Sequence, residues 1–291
     1  MTRVIELIEA GAAQLNEAGV AFGHGTGNAF DEAAWLVLWQ LKLPIDDLDA
    51  ASDRPVSPAD CARVASLLAA RIETRKPAAY LTREAWLQGV PFYVDERAIV
   101  PRSFIAELLV DGSIDHWLGE HTQQVLDLCT GNGSLAVLAA MTYPDVHVTA
   151  ADISRDALEV ASINVTRHRL DERITLVESD GLTALPGPYD LILCNPPYVN
   201  AQSMRTLPAE YRAEPALALA GGADGMDFVR TLLAAAPAVM QQRAVLVLEI
   251  GNERDHFEAA FHALETVWLE TSAGEDQVLL LTREALVRDL Q

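Results

Sequence analysis

Tyr189-Asp190-Leu191-Ile192-Leu193-Cys194-Asn195-Pro196-Pro197-Tyr198 is an apolar strand stopped by two prolines. Proline has no N–H to give to a sheet ladder, so pairing must end near Cys194. A near-continuous apolar run marks a strand covered on both faces, as in a parallel sheet flanked by helices. In open α/β sheets, ligands bind outside the carboxyl ends of the strands. The turn therefore sets an Asn amide, free carbonyls and an aromatic ring where a ligand is expected, and such a group can hold a planar –NH2.

The pattern repeats outward. Residues 125–128, 146–150, 174–177 and 245–250 also read as buried strands, and 134–142 and 154–166 as helices. Residues 266–269 and 277–281 are joined through Gly274 with no helical segment between them, which predicts an antiparallel pair. The expected class is α/β, a seven-stranded sheet similar to that of the Rossmann-like methyltransferases.

Upstream the period changes. Val4, Ile5, Ile8, Ala12 and Leu15, then Trp35, Leu36, Leu38 and Trp39, recur at helical spacing. Asn28 or Asp31 can cap the second helix. Ser57-Pro58 opens a third, which Pro77 closes. Trp86-Leu87-Gln88 and Phe92-Tyr93-Val94 flank Gly89-Val90-Pro91 and read as a hairpin. A further helix starts at Pro101-Arg102-Ser103, with Ser103 as cap and Glu107 in its second turn. The expected division is a helical domain over 1–79, a hairpin linker over 80–100 and a catalytic domain over 101–291.

The chain of 291 residues holds 42 acidic against 21 basic residues, a net charge of −21. That balance opposes nucleic-acid binding, which needs surplus cations, and attracts a basic partner. Three Cys (Cys61, Cys129, Cys194) without metal-ligand spacing indicate a reducing compartment. The start lacks a signal-peptide pattern, and no apolar run reaches the roughly 18 residues of a membrane span. A soluble, cytoplasmic protein that binds no metal is expected.

Asp127-Leu128-Cys129-Thr130-Gly131-Asn132-Gly133 joins the first strand of the sheet to its helix. Gly131 and Gly133 allow a tight turn and close approach of a ligand, and the helix offers free N–H groups. Asp152, followed by Ile153, lies 25 positions after Asp127 at the next strand's end, where a carboxylate can accept both ribose hydroxyls. The glycines alone fit a dinucleotide fingerprint equally well. Asp127 and Thr130 suit the ammonium of a methionine tail better than a pyrophosphate. Asp180, before Gly181, can accept from the adenine amine or can cap a helix.

The turn after the fourth strand favours methyl transfer to an –NH2. An amide nitrogen is a poor nucleophile because its lone pair is delocalised. Asn195 can accept one N–H and the Pro196 carbonyl another, Pro197 stiffens the turn, and Tyr198 can pack on the planar group. Catalysis would then be positioning and electrostatics. Adenine, cytosine and glutamine amides share this geometry, and the acidity of the chain favours glutamine in a basic protein. The long loop over 199–226 is placed to cover a substrate segment, with Glu210 and Glu214 either meeting basic side chains or solvated.

These residues together resemble the HemK/Prm family of protein-(glutamine-N5) methyltransferases over nearly the whole chain. The ribosomal-protein branch is the nearest, through Phe22-Gly23-His24-Gly25-Thr26, the stretch 86–103, the Asp127–Gly131 loop and residues 207–215. The release-factor branch reads Pro-Arg-Pro-Asp-Thr-Glu where this chain has Pro101-Arg102-Ser103-Phe104-Ile105-Ala106, and has Trp at the position of Gly181. The resemblance implies S-adenosylmethionine as donor, substrate recognition by the helical domain, and as substrate a basic protein, the third of the large ribosomal subunit. Asn132 departs from the branch's usual Ser, and its contribution is expected to be mainly backbone. Gly23–Gly27 has no preceding strand and reads as a turn. Cys129 and Cys194 read as packing residues. Arg102 either orients substrate or binds a helix end.

Overall fold

The computed structural model describes residues 2–289. Helices come first: α1 (Val4–Glu17), α2 (Ala29–Gln40), α3 (Leu48–Ala51), α4 (Pro58–Thr74) and α5 (Ala78–Thr82). Val4, Ile8, Ala12 and Leu15 form one buried stripe, packed in a common core with Ala33, Leu36 and Val37 of α2. Asn28 caps α2, its side chain accepting from Asp31 N at 3.0 Å. Ser57 caps α4 with Pro58 at its start. Pro77 does not close α4. That helix ends at Thr74, where Arg75 takes a left-handed conformation, and Pro77 instead leads into α5.

β1 (Ala85–Leu87) pairs antiparallel with β2 (Val90–Phe92). Their turn is Gln88-Gly89, with φ of 49° and 74°, the two-residue geometry that matches strand twist. The second strand therefore starts at Val90, earlier than the aromatic pattern suggested. Ser103 is not the cap of α6 (Ile105–Val110). Phe104 holds that position and Glu107 lies in the first turn. Ser103 Oγ still accepts from Ile105 N at 3.2 Å.

The sheet then forms from β3 (Gln124–Leu128), α7 (Ser134–Thr142), β4 (His147–Asp152), α8 (Arg155–Arg167), β5 (Ile174–Glu178), β6 (Tyr189–Cys194), α9 (Ala201–Thr206), α10 (Asp227–Val239), β7 (Met240–Glu249), α11 (Arg254–Ala260), β8 (Val267–Thr271), β9 (Gly274–Thr282) and α12 (Arg283–Asp289). The order is β5-β4-β3-β6-β7-β9-β8, seven strands as expected. β9 runs antiparallel to both neighbours, and the other pairs are parallel. β7 starts before the apolar run because Met240 already pairs with Tyr189.

β6 feeds two cores. Leu191 and Leu193 face the one that includes Ile105 and Val137. Ile192 and Cys194 face the one that includes Val229 and Phe257. Full burial of such an aliphatic side chain contributes about 1.5–3 kcal/mol, so a strand without polar alternation is stable here. The strand order reverses between β3 and β6, which opens a crevice at their carboxyl ends.

Candidate functional site

A cavity of about 350 Å³ occupies that crevice. Gly131 reaches it from the loop after β3, Asp152 and Ile153 from the end of β4, Asp180 and Gly181 from beyond β5, and Asn195 and Pro197 from the turn after β6. Four separate strand ends thus converge, and seven of the residues singled out in the sequence meet at one place.

The loop residues divide into two sets. Gly131 (φ 54°) has open space where a Cβ would stand, so its backbone faces the cavity bare. Gly133 serves packing instead: a Cβ there would lie 3.0 Å from Ala161 Cβ on α8. Asp127, Thr130 and Asn132 are buried. Asp127 Oδ2 accepts from Thr130 Oγ1 and from Ala136 N, which ties strand, loop and α7 together. Its Oδ1 has no partner, and burial pushes the carboxyl up to about 7 despite those two bonds. Asn132 does more than lend its backbone. Its side chain is buried, Oδ1 accepts from Ser134 N at 3.3 Å, and Nδ2 is unpartnered.

Asp152 is half-committed before any ligand arrives. Oδ2 accepts from Gly131 N at 2.9 Å and Oδ1 from Ser154 N at 2.8 Å. Each carboxylate oxygen has a second lone pair to offer. Burial raises its pKa, opposed by these backbone bonds. The exposed Ile153 and the ring of Phe228 on α10 supply apolar walls. Phe228 carried no signal in the sequence, and Pro215 and Leu217 stood out only as part of the 199–226 stretch, because only the fold brings these segments to the cavity.

The turn itself is held from behind. The Tyr198 ring lies against Gly251, where a Cβ would come within 2.5 Å of Cε2, and a Cβ at Gly225 would lie 2.3 Å from the Tyr198 carbonyl oxygen. The Tyr198 hydroxyl faces Glu249 Oε1 at 3.5 Å. Burial, then the nearby Glu249 charge, pushes the phenol pKa up and keeps it neutral. The ring is thus anchored in the protein rather than projecting into the cavity. Glu249 accepts from Ser103 Oγ and from Phe104 N, and burial raises it to about 7. Val199 N donates to Leu219 O and Gly221 N to Val199 O, so the returning chain braces the turn.

The 199–226 stretch is more ordered than the loop expected, and its Pro215, Leu217, Ala218 and Ala220 line the cavity. It contains α9 and short single turns at 211–213 and 216–218. Glu210 and Glu214 are neither solvated nor directed outward. Glu214 accepts both forks of Arg102, at 2.6 and 2.7 Å, and Val100 N at 2.9 Å. Burial works to raise the Glu214 carboxyl, but Arg102 and His24 bring it down to about 2. Glu210 accepts from Arg75 at 3.1 Å and from Ala21 N at 3.2 Å. Arg102 is therefore held within the chain, by Glu214 and the Val100 carbonyl. Among the described residues no cluster suited to a metal ion occurs, and no helix is long and apolar enough to cross a membrane.

An orphaned buried acceptor (Asp127 Oδ1), the bare face of Gly131 and carboxylates on two further strand ends fit a nucleoside with an amino-acid tail. Comparison with known proteins agrees. A model of the PrmC N-terminal domain matches residues 6–82, and one of the methyltransferase small domain matches 107–212. The ribosomal protein uL3 glutamine methyltransferase of Bordetella pertussis is 56% identical over 97% of this chain and 95% of its own. That of Burkholderia pseudomallei is 52% identical over 96% of this chain and 94% of its own. Among solved structures, the hMettl16 catalytic domain in complex with the MAT2A 3'UTR hairpin 6 aligns with a TM-score of 0.53 at 14% identity. It covers 78% of this chain and 81% of that one, and this likeness concerns the fold alone.

Proposed function

The chain belongs to the family of ribosomal protein uL3 glutamine methyltransferases, and on that premise we propose that it methylates the side-chain amide of a glutamine in the basic protein uL3, without binding nucleic acid. It is an S-adenosylmethionine-dependent methyltransferase. The observation that carries the substrate reading is the presence of Asn195 and Pro197 in the same cavity as Gly131, Asp152 and Asp180. An amide-holding turn and a nucleoside-holding loop then serve one reaction.

The donor supplies an electrophilic methyl on a sulfonium. Asp127 Oδ1 takes its ammonium, and Thr130, Asn132 and Gly133 hold the loop that presents Gly131. The remaining lone pairs of Asp152 accept the ribose hydroxyls. Asp180 accepts the adenine amine, with Ile153 and Gly181 beside the base. Asn195 Oδ1 accepts one N–H of the glutamine amide and the Pro196 carbonyl the other, which fixes the –NH2 plane and favours positive charge developing on nitrogen. Pro197 keeps the turn rigid. Tyr198 acts from behind, locking the turn onto Gly251. The nitrogen sheds its proton after transfer, when it is acidic, so no base is needed beforehand. Residues 1–79 act as the substrate-recognition domain, 80–100 as linker and 101–291 as the catalytic domain.

The test is transfer of radiolabelled methyl to purified uL3, a release factor and DNA, each offered alone. Label on uL3 is expected, and label on DNA alone would sink the reading. Asn195→Ala should abolish transfer while S-adenosylhomocysteine still binds. Transfer at the wild-type rate would refute the role given to Asn195.

A further inference from the structure

No tryptophan lines the Asn195 cavity. Three of the chain's five, Trp35, Trp39 and Trp86, instead line a groove between α2, the α2–α3 connection and β1. It consists of two hollows of about 300 and 370 Å³ that meet at Ile45 and Trp86. Phe30 and Trp86 stand on its walls, each 39% exposed. The Trp86 indole N–H donates to Glu84 at 3.0 Å, which sets the ring beside a carboxylate.

The groove is also acidic. Asp31, Asp46 and Glu84 lie on its walls with Lys42, and Arg167 approaches Glu84 within 4.0 Å. From Leu43 to Asp53 the chain holds four Asp and no Lys or Arg. The Trp35 indole nitrogen inside it is buried and unpaired, while the buried His24 faces Glu214 through Nε2. Flat aromatic faces beside carboxylates match a guanidinium, which stacks through its plane and donates in that plane. Tryptophan is also the residue type that most often anchors protein interfaces.

The groove adjoins the reaction site through one short segment. His24 packs on Tyr211 with ring centroids 4.3 Å apart, and its Nε2 is 3.4 Å from Glu214. The next residue, Pro215, is a wall of the Asn195 cavity. A partner seated in the groove therefore lies next to the segment that borders the acceptor site.

We propose that this groove docks an arginine-bearing segment of the protein substrate while its glutamine occupies the Asn195 cavity. The proposal rests on the reading that the substrate is the basic protein uL3. With full-length enzyme and full-length uL3, Trp86→Ala and Asp46→Asn should each raise KM for uL3, by about tenfold for Trp86→Ala, the worth of one good cation–π contact. kcat and S-adenosylhomocysteine affinity should stay at wild-type values, which separates lost docking from lost folding. Hexa-arginine should inhibit the wild type in competition with uL3 and inhibit the variants less. An unchanged KM in both variants overturns the proposal. If wild-type enzyme leaves uL3 unmethylated, the substrate reading falls and the groove is judged by tryptophan fluorescence. Saturable quenching by hexa-arginine that weakens in Asp46→Asn upholds an arginine site, and no saturable change overturns it.

Discussion

Asp127 is the residue whose burial has the most direct chemical consequence. Its ordinary pKa of 3.8 rises to about 7 in the free protein, chiefly through burial. A raised folded pKa means that the carboxyl's favourable contribution is present below pH 3.8 and is lost as pH rises through about 7. A bound ammonium reverses this by favouring the ionised form. Affinity for S-adenosylhomocysteine should therefore rise with pH between about 6 and 8, and calorimetry on Asp127→Asn should show weaker binding with that slope gone. A slope that survives the substitution would show that another group controls it. Gly251 makes a second case. Its φ of 53° and the Tyr198 ring 2.5 Å from any Cβ leave no room for alanine. Gly251→Ala should displace the Asn195–Tyr198 turn and lower kcat by about tenfold or more, as loss of a positioned near-attack geometry does, with donor affinity nearly unchanged in a binding titration. Neither effect was legible in the sequence, since Gly251 lies 53 residues from Tyr198 and only folding brings them together.

At the scale of elements, the stretch from α9 to α10 behaves as a clamp. Glu214 holds Arg102 and Val100 from the stretch leading into α6, while Glu210 reaches Ala21 and Arg75 among the N-terminal helices. Removing one partner of a buried pair strands the other charge and costs about 3–5 kcal/mol. Arg102→Met should accordingly lower stability by about 3 kcal/mol in urea unfolding near neutral pH. The sign with pH follows from Glu214, whose pKa is depressed from 4.5 to about 2. Its stabilisation is full above 4.5 and fades as pH falls through about 2. The difference between wild type and variant should shrink over the same window, and a gap independent of pH would show that the lost interaction is not the ion pair. The sequence singled out both glutamates and Arg102 but could not pair them, because the partners are more than 100 residues apart.

The whole molecule carries a net charge of −21. A basic protein substrate should be steered to it over distances near the Debye length, about 10 Å at 0.1 M salt. KM for uL3 should rise as NaCl is raised from about 0.05 to 0.3 M, while kcat holds. A KM insensitive to salt would remove charge from the account of recognition. By itself the sequence determined the seven strands, the reversal at β9, the glycine loop and the proline-stopped turn at Asn195. Each of these is written in a few consecutive residues, as apolar runs, turn residues or prolines, and local sterics decide them. Only the tertiary structure decided that Gly133 packs helices, that Tyr198 faces Glu249, that Glu210 and Glu214 bind the chain's own arginines, and that three tryptophans share an acidic groove. Those outcomes depend on which distant segments share a buried space. There, a charge or ring takes whatever partner the fold supplies in place of water.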